Sequence, residues 1–148
     1  MAAPWPKGSD PEAKLRLELK ALLTEAGLKC AIQTRTSDRI TPATQVIILE
    51  AEETRMAMPW GDPESGKDCD CHSFEVTLDV VGDDRTPEGQ MSKAASTLFE
   101  VFRQTNYSSR NNHGIYTATI RKDKNAQSDI REMKNPFIVR CDTITFVE

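Results

Sequence analysis

The chain has 148 residues, with 19 Lys and Arg against 23 Asp and Glu for a formal charge of −4, and is 38% hydrophobic and 28% charged. That is the length of one ordinary domain with enough apolar content for a core, and the acidic excess removes any general electrostatic attraction to nucleic acid. The longest aliphatic run, Val46-Ile47-Ile48-Leu49, is far short of the roughly 20 apolar residues a membrane-spanning helix requires, so no such helix is expected. The opening Met1-Ala2-Ala3-Pro4-Trp5-Pro6-Lys7 lacks the apolar stretch of a secretory signal. Synthesis in the cytoplasm and reduced thiols are the expectation. Residues 1–9 read as a flexible arm ahead of a single domain over 10–148.

The first element is a helix. Asp10 is placed as N-cap, Pro11 suits the first helical position and Glu12 complements the helix dipole. Leu15, Leu19, Leu22, Leu23 and Ala26 then form one apolar stripe, and Gly27 is placed to end it. From Leu28 the period changes to two, with Leu28, Cys30 and Ile32 on one side of a short strand. Thr34 to Pro42 is a polar connection, and Gln45 to Thr54 reads as a central strand. Residues Met56 to His72, MAMPWGDPESGKDCDCH, have no usable period and are expected to form a long loop, of the kind that is functional or disordered.

Phe74, Val76, Leu78 and Val80 alternate with Glu75, Thr77 and Asp79, the clearest period-two stretch of the chain. Thr86-Pro87-Glu88 repeats the cap, proline and acid arrangement, and Met91, Ala94, Ala95, Leu98 and Phe102 follow at helical spacing. Asn111-Asn112-His113-Gly114 is turn chemistry leading into a strand over Ile115 to Lys122, and after a polar connection Phe137 to Val147 supplies a fifth strand. The order α-β-β-β-α-β-β predicts an α+β domain: an antiparallel sheet of about five strands with two helices packed on one face, and the long loop between the second and third strands.

Chemistry is sparse. Asp68-Cys69-Asp70-Cys71-His72 brings two thiols and an imidazole together, but its Cys-x-Cys spacing departs from the Cys-x2-4-Cys knuckles of structural zinc sites. Incidental thiols in a polar loop are the plainer reading. Cys30 and Cys141 lie in strand-like stretches where cysteine acts as a small hydrophobe. A cysteine nucleophile paired with His72 or His113 has no supporting flanking sequence. Glu50, Glu52, Glu53, Asp83 and Asp84 read as a solvated face or the wall of an assembly, because paired acids do acid/base work only when burial separates them. Arg121, Lys122, Lys124, Arg131 and Lys134 are diluted by Asp123, Asp129 and Glu132, which favours an acidic protein neighbour over a phosphate backbone. No phosphate-binding glycine loop, Gly-x-Ser-x-Gly or His-Glu-x-x-His occurs. No enzyme activity, metal or cofactor is expected.

What remains are Met56, Met58 and Trp60 on the long loop and Trp5 in the Pro-Trp-Pro arm, residue types from which contact surfaces are made, unless both tryptophans fold back onto their own domain. Candidate interface residues are Trp5, Met56, Met58, Trp60, Asp62, Lys67, Asp68, Arg121 and Lys122.

The layout resembles the tail terminator proteins of long-tailed bacteriophages. HSFEVTLDVVGDDRTPEGQMSKAASTLFEVF resembles the strand and helix that form the body of that domain, and PFIVRCDTITFVE resembles its last strand. The similarity spans about residues 10 to 148 and is one of architecture rather than of a signature motif; the Pro-Trp-Pro arm and the cysteine-bearing segment have no counterpart in the family's pattern. The resemblance implies a non-enzymatic virion protein, in the host cytoplasm during assembly and then at the head–tail junction. It would form a ring, usually a hexamer, on the last ring of the tail tube protein, stop tube growth and present a surface to a neck or connector protein of the head. Genome DNA would pass through the ring without sequence-specific contact, and Glu50, Glu52 and Glu53, if they face the channel, would let it slide. The alternatives are another head–tail connector or neck protein and, from a different class, a small metal- or ligand-binding α+β domain using Cys69, Cys71 and His72.

Overall fold

The computed structural model describes residues 5–8, 10–33, 43–61, 68–81, 88–103, 107–122 and 134–146. Helix α1 runs Pro11–Glu25, with the Asp10 carboxylate accepting from the Glu12 amide at 3.2 Å. Leu15, Leu19, Leu22 and Leu23 are all buried. Gly27, at φ 92°, turns the chain out of the helix, and the Leu28 amide donates back to the Leu23 carbonyl at 3.0 Å.

The strands are β1 (Cys30–Ile32), β2 (Val46–Gly61), β3 (Asp68–Val81), β4 (Ile115–Lys122) and β5 (Lys134–Phe146), in the spatial order β1-β2-β3-β5-β4. The α+β class with five strands is as expected. The pairs β2–β3, β3–β5 and β5–β4 are antiparallel, whereas β1 lies parallel to β2 through Cys30–Val46, Ala31–Ile47 and Ile32–Ile48. The sheet is therefore mixed at one edge. A parallel neighbour requires a crossover between its strands, and here that connection falls in residues 34–42, outside the described residues.

Helix α2 runs Glu88–Val101; its expected cap at Thr86-Pro87 lies outside the described residues. Ala94, Leu98 and Phe102 pack with the α1 leucines against Phe74, Val76, Leu78 and Val80 of β3 and Val139 and Cys141 of β5. Both helices thus cover the same face. A third helix, α3 (Tyr107–Asn112), stands where only a turn was expected. Its Arg110 is buried and donates from Nη1 to the carbonyls of Arg103 at 2.7 Å and Val101 at 3.3 Å, which closes the C-terminal end of α2.

The expected long loop from Met56 to His72 is largely strand. Met56–Gly61 continue β2, and β3 begins already at Asp68, with Met58 paired to Cys71, Trp60 to Cys69 and Gly61 to Asp68. Proline and glycine within this stretch mask its strand character, yet Pro59 is tolerated because among the described residues β1 pairs with β2 only as far as Ile48, which leaves β2 outermost at that level. Only residues 62–67 separate the two strands. The last strand likewise starts earlier than expected, at Lys134.

Trp5 is not part of a free arm. Its amide donates to the Ile144 carbonyl at 2.7 Å, it forms a parallel bridge with Thr145, and it is 4% exposed. It occupies the β5 edge just beyond the point where β4, which begins opposite Thr143, leaves off. The alternative in which Trp5 folds back onto its own domain is the observed one, and Trp5 is removed from the exposed contact residues.

Candidate functional site

The face of the sheet opposite the helices carries the polar cross-strand rows. In one, Glu52, Glu75, Arg140 and Thr119 lie side by side on β2, β3, β5 and β4. In the next, Ser73 and Thr117 flank Asp142: Ser73 Oγ donates to Oδ1 at 2.5 Å and Thr117 Oγ1 to Oδ2 at 2.6 Å. A register shift between Ile115 and Thr117 brings the threonine into line with Asp142. This carboxylate clasps three strands. Ser73 is only 2% exposed and Asp142 divides its two oxygens between the two hydroxyls, so the cluster ties strands together.

The structure separates the thiols of β3 from the imidazole beside them in sequence. Cys69 and Cys71, two residues apart on β3, share a face and are buried, whereas His72 between them points to the other face. There its Nδ1 lies 3.1 Å from Glu53 Oε1 and its ring stacks against Phe74. Burial pushes the Cys30 and Cys141 thiols up to about 12, which keeps both protonated and poor as nucleophiles or ligands. Among the described residues no group of three or more His, Cys, Asp and Glu side chains is arranged to hold a metal ion. Among the described residues no helix is long and apolar enough to cross a membrane.

A second polar cluster joins the N-terminal segment to the turn before β4. His113 Nδ1 lies 2.8 Å from Glu18 Oε2 and its Nε2 lies 2.9 Å from Glu25 Oε1. Both carboxylates project from α1, seven residues apart, two turns along one face. Burial of the ring opposes its charge, but hydrogen bonds and attraction from Glu25 and Glu18 outweigh it and hold the His113 pKa above its ordinary value. The His113 carbonyl accepts from Trp5 Nε1 at 3.3 Å, and Lys14 lies over the Trp5 ring at 5.7 Å. Sequence reasoning treated His113 as a turn residue; nothing in the local pattern links it to a helix 88 residues away. Near Glu25, a groove of about 340 Å³ is floored by Leu22, Ala26 and Val101 and edged by Glu25 and Glu100. Both rim carboxylates are already engaged, Glu25 with His113 at 2.9 Å and Glu100 with Arg103 at 2.9 Å.

Of the candidate interface residues, Arg121 and Lys122 stand exposed at the end of β4. Met56, Met58, Trp60 and Asp68 lie on the β2–β3 hairpin by backbone register, so they are gathered on one ribbon. Asp62 and Lys67 fall outside the described residues. The residues that the pattern missed are Thr119, on the outermost β4, and Arg140, on the interior β5, whose place in one row with Glu52 and Glu75 follows from strand order and not from any local motif. A comparison with protein-family models returns no match, and none of the curated proteins matches this chain.

Proposed function

We propose that this chain is a structural, non-enzymatic subunit of a ring at the end of a long-tailed bacteriophage tail, where it ends growth of the tube and offers an attachment surface to the neck of the head. The observation that carries the reading is the β2–β3 hairpin, strands of 16 and 14 residues on a domain whose β1 covers only the first three positions of β2. A ring subunit needs two different, complementary surfaces, and such a hairpin, with sheet edges on either side of the domain, supplies them without any further element. Apart from the added α3 and the hairpin in place of the long loop, the element order follows the layout for which the sequence resembles the terminator family. The polar clusters agree as well, since Asp142, His72 and His113 are each bound into contacts that hold strands and helices together.

A neighbouring neck or connector position is the second reading, because it asks for the same kind of ring. Immunogold labelling of virus particles from the source tests both. Label at the junction of head and tail is the expected result, and tails of irregular length in the absence of this protein would assign the terminator position. Particles without label despite accessible epitopes would overturn the reading.

A further inference from the structure

We propose that copies of this chain join head to tail by setting the exposed edge of β4, with Arg121 and Lys122, against the part of β2 that β1 leaves uncovered, with Glu52 and Glu53. The proposal rests on the ring reading above and names the surfaces that would close it. In the strand order β1-β2-β3-β5-β4, β4 is an outermost strand, and among the described residues β1 reaches β2 only from Val46 to Ile48. Among the described residues no strand therefore lies beyond β4 or beside β2 after Ile48.

Strand direction suits a second copy. The pairs β2–β3, β3–β5 and β5–β4 are each antiparallel, so β4 runs opposite to β2. A neighbour that simply continues the sheet, helices on the same side, brings its β2 against this β4 in antiparallel sense, the pairing in which ladder hydrogen bonds run straight across. The contact is heterologous, as ring closure requires.

Charge selects the partner. Glu52, Glu53, Arg121 and Lys122 are all exposed. By register Glu52 shares the outer face with Glu75, Thr119 and Arg121, while Glu53, opposite Phe74, and Lys122, opposite Phe137, point to the helix side. Each edge thus presents its charge on both faces, acidic on β2 and basic on β4. Glu52 lies directly across from Glu75, whose neighbour on its other side is Arg140, and an arriving Arg121 gives Glu52 a basic neighbour in the same way. Register shifts after Ile48 and after Glu53, with Pro59 further on, keep β2 from offering a long continuous ladder to an arbitrary strand. The contact is short in main chain and specified by side-chain charge. It places Glu52 and Glu53 between subunits instead of along a DNA channel.

The test uses the full chain and two charge reversals, E52K/E53K and R121E/K122E, followed by analytical ultracentrifugation. Each variant alone carries like charges on both edges and is expected to self-associate at least roughly tenfold more weakly than the unaltered chain. An equal mixture pairs basic β2 with acidic β4 and acidic β2 with basic β4, so association returns. The chain with all four reversals associates again, which also shows that the substitutions do not unfold it. An unaltered chain that stays monomeric, variants that associate as well as it does, or a mixture that fails to recover would each overturn the proposed edge. Particle labelling is unaffected by these substitutions, so a labelled junction together with insensitive association would leave the ring and remove this interface.

Discussion

Gly114 and Trp5 are fitted to one another: a Cβ on Gly114 would lie 2.0 Å from Trp5 Nε1, and Gly114 sits at φ 74°. The glycine is required twice, once by its left-handed backbone and once by the ring above it. Gly114→Ala is expected to destabilise the protein by about 2–4 kcal/mol, combining backbone strain with displacement of a buried indole. Urea unfolding measures the loss. A midpoint within error of the unaltered chain would show that Trp5 does not rest on Gly114.

The His113 cluster predicts a defined pH dependence. With the folded pKa raised above the ordinary histidine value of roughly 6.5, the contribution of the contacts to Glu18 and Glu25 is fully present below that value and is lost as pH rises through the folded pKa. Replacing His113 with Gln should therefore cost stability most at low pH, and the gap between the two proteins should narrow on the alkaline side. A gap independent of pH between about 5 and 9 would mean that the imidazolium is not the species that bridges the two carboxylates.

The contrast between α1 and the β2–β3 hairpin shows where the sequence is readable. Leu15, Leu19, Leu22 and Leu23 are all buried because one side of α1 meets the sheet along its whole length, and period 3.6 records that. Phe74 to Val80 alternate for the same reason in β3. Beyond the helices the sheet is no longer half buried. Cys69, Cys71 and Ser73 are buried on one face of β3 and Phe74 on the other, so alternation of hydrophobicity fails although the backbone stays extended. Pro59 and Gly61 add local punctuation that an outermost strand can ignore. The arm and the sheet edges were illegible for another reason: the Trp5–Thr145 bridge and the His113–Glu18 contact join residues more than 90 positions apart. Such pairings leave no trace in a single sequence.

Asp142 predicts a loss felt across three strands. Asp142→Ala removes the common acceptor of Ser73 and Thr117. Hydrogen bonds to a carboxylate contribute about 1.5–3 kcal/mol each where water is excluded, and exposure of Thr117 reduces its share. A total of about 2–4 kcal/mol is expected, with Asp142→Asn losing less because one acceptor oxygen survives. Hydrogen exchange should quicken at β4, the outermost of the three strands, before it does so at β3. Equal protection in β4 would argue that backbone pairing with β5 holds it alone.

The thiols give a prediction about reactivity. Cys141 is fully buried in the centre of β5 and Cys30 is half-buried in β1, and burial pushes both up to about 12. At pH 8 a thiol with such a pKa is almost entirely protonated, and the thiolate is the species that attacks a disulfide reagent. Cys69 and Cys71, 1% and 9% exposed, are shielded by burial on β3. In the native protein the four cysteines should therefore react with an aromatic disulfide reagent far more slowly than in denaturant, where all four become available, and Cys141 should be the last to react. Peptide mapping after partial labelling identifies the order. Rapid labelling of Cys141 in the folded state would require that β5 open between β3 and β4, and would contradict the place of that strand at the centre of the core.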